Sequence, residues 1–249
     1  NMVDILYPEN KYNEKNVEFL WKAYKFSKNA HEGQLRHSGE PYFTHCISVG
    51  TTLAKWNLDE NTIAAGLLHD TLEDTKVTKK DIIDNFNEEI FILVEGVSKL
   101  SGIKFKSRQQ KQAENFMKMF LSIANDIRVI IIKFADRLHN LETISYLPNI
   151  KQSRIATETR DVFAPLAHRL GMNSVKVKFE NLVLSILEPG AFKLLKRKIK
   201  ATEKQRTKYI EKFSAPIIDK LKSFNNDIID YVEAYDQLVG VQIYSKLNA

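Results

Sequence analysis

The chain is poor in the residues that break or cross-link a fold, with one cysteine, 9 glycines and 6 prolines in 249 residues. The lone Cys46 excludes a disulfide framework. Scarce glycine and proline argue against many short strands joined by tight turns, and favour long helices. No stretch approaches the roughly 18 consecutive apolar residues of a membrane-spanning helix. The opening, "NMVDILYPENKYNEK", is polar and acidic rather than a basic segment followed by an apolar one. No secretory signal is read there, and a cytoplasmic protein away from any membrane is expected.

A hydrophobic content of 43% is ample for a core, and the net charge is +6. Such a charge suits nucleic acid, a membrane surface or a small polyanion such as a phosphorylated nucleotide, and composition alone does not choose. Much of the excess lies in "KLLKRKIKATEKQRTKYIEKF", residues 193 to 213, where Leu194, Leu195, Ile199, Tyr209, Ile210 and Phe213 recur at helical spacing. The simplest reading of that stretch is the solvated face of surface helices.

Helical periodicity dominates. "NVEFLWKAYKFSKNAH" predicts a helix with Val17, Leu20, Trp21 and Tyr24 on its apolar stripe, and Gly39 and Pro41 in "HSGEPYF" interrupt the pattern. "THCISVGTTLAKWN" and "NTIAAGLLHDTLEDT" predict two facing helices, each opened by a Thr or Asn cap. "VTKKDIIDNFNEEIFILVEGVSKLSGI" holds at least one helix, opened by Thr78 with Asp81 three positions on. "KSRQQKQ" reads as a loop. The chain is again helical from "AENFMKMFLSIAND" to Pro148, and "DVFAPLAHRLGM" is a helix tolerating Pro165 near its start. Only the end, "YDQLVGVQIYSKLNA", alternates like a strand, and one strand cannot make a sheet.

The chemistry gathers in "LLHDTLEDT", residues 67 to 75. His69 and Asp70 there, with His45 and Asp136 from two other helical segments, combine imidazole nitrogen with carboxylate oxygen. That donor set suits Mn²⁺, Fe²⁺ or Zn²⁺ with open water positions. A lone histidine on an apolar helix is ordinarily a core or surface residue, but the pair follows "AAGLL". A buried, uncompensated carboxylate costs several kcal/mol. Glu73 stands four residues after His69 and Asp74 four after Asp70, which on a helix is one turn, about 5.4 Å. Acid/base groups then sit beside a water that a metal activates, an arrangement suited to hydrolysis. The competing reading is a solvated acidic face. In "KFADRLHN", Asp136, His139, Asn140 and Thr143 share one face, either to read a ligand or to cap and bridge neighbouring helices.

"HEGQLRHSGEPYFTHC", "AAGLLHDTLEDT", "VEGVSKLSGI", "AENFMKMFLSIANDIRVIIIKFADRLHN" and "FAPLAHRLGM" follow one another in this chain. In that order and spacing they resemble the N-terminal hydrolase domain of the RelA/SpoT family, over roughly residues 17 to 190. The resemblance implies a mainly α fold, an HD-type metallohydrolase helical bundle, with a short C-terminal α/β remnant. It divides the chain into a hydrolase domain (residues 1–188), connecting helices (189–230) and a fragment resembling the start of a synthetase domain (231–249). The implied activity is Mn²⁺-dependent removal of the 3′-pyrophosphate of ppGpp or pppGpp, giving GDP or GTP and pyrophosphate.

By the same resemblance the metal ligands are His45, His69, Asp70 and Asp136, and the catalytic pair is Glu73 and Asp74. Arg36, His37 and Ser38 surround the base, Asn140 and Thr143 also bind nucleotide, and Lys133 and Arg137 are candidate phosphate partners or structural ion pairs. His37, Met117 and Glu142 depart from the family's usual residues, which bears on affinity or regulation more than on hydrolysis. The synthetase segments of bifunctional members are not found here, so synthesis by this chain is not expected. Contact with ribosome or RNA is expected only through a C-terminal region outside this sequence, and the oligomeric state is left open. Two alternatives stand beside this reading: an HD phosphohydrolase of another nucleotide, and a catalytically silent alarmone-sensing module.

Overall fold

The computed structural model describes residues 14–101 and 126–222. The "KSRQQKQ" loop, the "AENFMKMFLSIAND" helix, Met117 and the strand-like end lie outside the described residues. The chain separates into two compact units, one ending at Pro148 and the other beginning at Asn149.

The first unit comprises α1 (Glu14–Ala30), α2 (Phe43–Lys55), α3 (Glu60–Leu68), α4 (Thr71–Asp74), α5 (Lys79–Asn85), α6 (Glu88–Ser101) and α7 (Ile127–Glu142), then a 3₁₀ turn, Ile144–Tyr146. Helix α3 is the hub. Its "IAAGLL" run is apolar on every side, Ile63, Ala64, Ala65, Leu67 and Leu68 are fully buried, and α1, α2, α6 and α7 pack around it. A helix apolar all round is stable only when neighbours enclose it. Small residues set how near they come. A Cβ at Gly66 would collide with Leu53 of α2, and one at Gly50 of α2 would meet Leu67 at 2.8 Å.

Local chemistry fixes the helix ends, in places differently from the pattern reading. Asp59, not Asn61, caps α3, its carboxylate accepting from the Thr62 N–H at 3.0 Å. "NTIAAGLLHDTLEDT" is not one helix: α3 stops at Leu68, the chain turns through His69 and Asp70, and α4 restarts at Thr71. Helix α2 begins at Phe43 rather than from a Thr44 cap. Thr78 and Asp81 form the expected capping box, and that segment holds two helices, α5 and α6. On α1 the buried stripe runs through Leu20, Ala23 and Ser27, leaving Trp21 36% exposed. Two of its three positions are small, and at one of them the Ser27 hydroxyl donates to the Leu67 carbonyl of α3 at 2.6 Å. An indole on that line would hold the helices apart.

The second unit runs through α8 (Asn149–Glu158), a π-helical turn (Thr159–Phe163), α9 (Ala164–Arg169), α10 (Asn173–Leu187), α11 (Pro189–Ala201) and α12 (Glu203–Lys222). Pro165 falls in the first turn of α9, where a missing N–H costs little. Val175, Phe179 and Val183 of α10 form the buried stripe, and α11 buries no side chain. The basic stretch 193–213 is thus helical and largely solvated, as its pattern indicated. Among the described residues there is no strand beyond one antiparallel bridge, Leu35 with Pro41. No described helix is long and apolar enough to cross a membrane.

If close approach of α2 and α3 sets the core, Gly66→Ala should lower unfolding stability by about 1–3 kcal/mol in denaturant titrations followed by circular dichroism. Gly190→Ala, where an added Cβ meets nothing within 4 Å, should stay within about 0.5 kcal/mol of the parent.

Candidate metal centre

A tight loop between α1 and α2 starts the site. The Arg36 N–H donates to the Glu40 carbonyl at 2.8 Å and the Tyr42 N–H to the Gln34 carbonyl at 2.9 Å, while Gly39, at φ +85°, makes the reversal between them. The loop delivers Tyr42 to the start of α2, whose first turn carries His45. His69 and Asp70 occupy the break after α3, and Asp136 lies on α7. Side chains from three separated parts of the sequence therefore meet in one spot.

Hydrogen bonds fix the tautomers. The Nδ1 of His69 lies 2.9 Å from the Gly66 carbonyl, which only accepts, so Nδ1 bears the proton and Nε2 faces the site. The Nδ1 of His139 receives the Arg36 guanidinium at 2.9 Å, and guanidinium only donates. That nitrogen is therefore an acceptor, and the Nδ1 of His45, 2.8 Å away, must donate to it. The Nε2 of His45 likewise faces inward, 3.2 Å from that of His69.

The carboxylates close the set. Asp70 Oδ2 is 3.0 Å from His69 Nε2 and 3.6 Å from His45 Nε2. Asp136 Oδ1 is 3.3 Å from His45 Nε2 and 4.0 Å from His69 Nε2. Lys133 pairs with the other oxygen of Asp136, and the Asn140 amide donates to Oδ1. His45, His69 and Asp70 offer donor atoms all within 4.8 Å of one another.

Two imidazole nitrogens and two anionic oxygens converging in a buried space call for a cation. Without a metal a proton takes that place. Burial opposes charge on His69, yet the adjacent Asp70 wins and raises its pKa to about 9. Burial keeps His45 neutral, pushing its pKa down. Burial also opposes ionisation of Asp70 and Asp136, but His69 beside the first and Lys133 beside the second hold both carboxyls below their usual range. His139 is lowered to about 4, first by burial and then by its neighbours His45 and Arg36, which disfavour a second proton on its ring, and so remains an acceptor. The donor set and its charge fit a divalent cation.

Glu73 and Asp74 of α4 are exposed beside this centre. The break keeps the one-turn offset of Asp74 from Asp70, whose carbonyl accepts from the Asp74 N–H at 2.9 Å, whereas the Glu73 N–H turns to the same Asp70 carbonyl at 3.2 Å rather than to that of His69. A cleft of about 770 Å³ opens on their other side, between them and residues such as Asn29, Gln34 and Asn85, and none of His45, His69, Asp70 and Asp136 lines it. Arg36 bridges to α7, donating to Asn140 Oδ1 at 2.9 Å as well as to His139. The Thr143 hydroxyl donates to the His139 carbonyl at 2.8 Å at the end of α7, and Arg137 is half-buried on that helix. Ser38 donates to Glu40 within the loop at 3.3 Å, and His37 is exposed. Sequence reasoning passed over Tyr42, whose hydroxyl reaches Asp70 Oδ2 at 2.7 Å and Asp74 Oδ2 at 3.0 Å, and His139's bond to His45. The only signal for Tyr42 was its place three residues before His45.

Fold and site together define a helical protein with a buried imidazole–carboxylate centre for a divalent cation. The chain belongs to the HD-domain family, whose profile matches residues 23–173. It is 44% identical over 209 residues to the bifunctional (p)ppGpp synthase/hydrolase SpoT of Escherichia coli K12, an overlap of 84% of this chain and 30% of the relative. Identity, length of overlap and coverage are the same with the guanosine-3′,5′-bis(diphosphate) 3′-pyrophosphohydrolase of Vibrio cholerae. The chain thus spans about a third of the length of these curated relatives. A solved structure described as a metazoan ortholog of SpoT that hydrolyzes ppGpp, with a role in starvation responses, superposes with a TM-score of 0.53 at 26% identity. That overlap covers 71% of this chain and 95% of the other.

The site's charge balance has a measurable consequence. Because the His69 proton is held up to a pKa of about 9, loading a divalent cation at pH 7 should release about one proton, and the release should fade above pH 9. Calorimetric titration in buffers of different ionisation enthalpy reads this directly. Replacing Asp136 with Ala should weaken cation binding by roughly a hundredfold or more, seen by metal analysis after dialysis.

Proposed function

We propose that this chain hydrolyses the 3′-pyrophosphate of ppGpp or pppGpp, yielding GDP or GTP and pyrophosphate, with Mn²⁺ as the cation and in the turnover of these alarmones during the stringent response. The observation that carries the reading is the convergence of His45, His69, Asp70 and Asp136, with the carboxylates of Glu73 and Asp74 one turn beyond. The names of the relatives and of the structural neighbour support the substrate. A cytoplasmic setting accompanies it, in keeping with a single cysteine, Cys46, that is buried and free.

When bound, a divalent cation supplies Lewis-acid activation of water and neutralises phosphoryl charge. His45, His69, Asp70 and Asp136 would hold it, and the bonds from Gly66 and His139 orient the two rings. Glu73 is assigned to accept the proton of the attacking water, and Asp74, tied to Asp70 through Tyr42, is the second carboxylate. Arg36, with His37 and Ser38 from the same loop, and Asn140 and Thr143 from α7 are assigned to the nucleotide. Arg137 is assigned to phosphate. Lys133 already pairs with Asp136, so it contributes positive charge at the site floor while aiming that carboxylate. We assign the hydrolase domain to residues 1–188, the connecting helices to 189–230 and the start of a synthetase-like region to 231–249.

Purified protein with Mn²⁺ should release pyrophosphate from ppGpp, and from a nucleotide panel should favour that substrate over dNTPs and NADPH. Glu73→Gln combined with Asp74→Asn should lower kcat by roughly two to four orders of magnitude while Mn²⁺ stays bound. Glu60→Gln, in the first turn of α3, should leave the rate unchanged. No pyrophosphate from the parent protein, or an unchanged rate in the double variant, sinks the reading.

A further inference from the structure

We propose that Tyr42 is a positioning residue, whose hydroxyl ties the activating carboxylate Asp74 to the metal-binding carboxylate Asp70. The inference rests on the hydrolase reading above for its kinetic part, though not for its metal-binding part. Helix α4 has only four residues, too few to hold a side chain in place by its own hydrogen bonds. Rigidity must come from outside it. The loop before α2 provides it twice: Tyr42 reaches the Asp74 carboxylate at 3.0 Å, and the Gln34 amide donates to the Asp74 backbone carbonyl at 2.6 Å.

The tyrosine is itself braced. Its ring stacks on the buried His31 with centroids 5.0 Å apart and planes at 23°, and meets the His45 ring edge-on at 5.9 Å. His31 Nδ1 donates to the Gln34 side-chain oxygen at 2.8 Å, which joins the two braces into one unit. One hydroxyl proton between two carboxylates, at 2.7 and 3.0 Å, relieves the repulsion that would otherwise drive Asp70 and Asp74 apart. Glu73 has no such restraint; its carboxylate makes no hydrogen bond or ion pair among the described residues. The two acids thereby divide the work, Asp74 fixed in register with the metal ligand and Glu73 free to move with the proton.

Tyr42→Phe keeps the ring and its stacking while removing the bridging proton. Mn²⁺ titration of the free variant, followed by electron paramagnetic resonance, should show affinity reduced about tenfold, the lower end of what lost support for a metal ligand brings. With ppGpp, kcat should fall about tenfold with KM within twofold, and Tyr42→Phe should cause no further loss of kcat in an Asp74→Asn background. Gln34→Leu should lower kcat without changing Mn²⁺ affinity, because it touches Asp74 alone. Mn²⁺ affinity and kcat both within twofold of the parent in Tyr42→Phe, or losses that multiply in the double variant, would overturn the proposal. If the parent protein leaves ppGpp intact, the hydrolase reading falls, while the Mn²⁺ titration still decides whether Tyr42 supports Asp70.

Discussion

Two imidazole nitrogens 3.2 Å apart, one from α2 and one from the end of α3, are the constraint around which the first unit is arranged. Holding them there demands that the two helices approach more closely than ordinary side chains permit. Gly50 and Gly66 make that approach, each meeting a leucine of the opposite helix where a Cβ would stand. Gly66 serves twice, because its carbonyl also fixes the tautomer of His69. Packing and chemistry are thus settled by the same backbone.

Around that contact, charge is balanced outward in steps. The inner carboxylates Asp70 and Asp136 offset whatever cation the imidazoles hold, Lys133 offsets Asp136, and Tyr42 hydrogen-bonds to Asp70 and Asp74 without adding charge. On the other side, Arg36 fixes His139, which in turn fixes His45. A low-dielectric interior makes each link strong and each missing link costly. Most of these groups come from one loop and one helix, so the loop's tight reversal at Gly39 bears on the metal geometry although none of its residues is assigned as a ligand.

Much of this was legible from residue types and their spacing. The adjacent His-Asp and Glu-Asp pairs, four residues apart, announced two stations one turn apart, and that offset survived even though the predicted single helix breaks at His69 and Asp70. For Asp70 and Asp74 it survived because the Asp70 carbonyl accepts from the Asp74 N–H, a full helical turn that begins in the break itself. The stripe on α1 was read with Trp21 inside because periodicity records hydrophobicity but not the width of the contact, and Ala23 and Ser27 make that contact narrow. Asn61 was read as the cap of α3 where Asp59 serves, since both residues have side chains able to accept and only the path of the chain decides between them.

The sequence by itself determined that this chain is helical, because it has few residues that end helices and many at helical period, and that it carries ligand types for a divalent cation, because their chemistry is intrinsic. Only the tertiary structure decided which nitrogen of each histidine faces inward, since that depends on the Gly66 carbonyl and on a guanidinium 103 residues away from His139. It alone brought Tyr42 onto both carboxylates. Partners so distant in the chain leave no period or motif, and they become neighbours only when α2, α3 and α7 close on a common core.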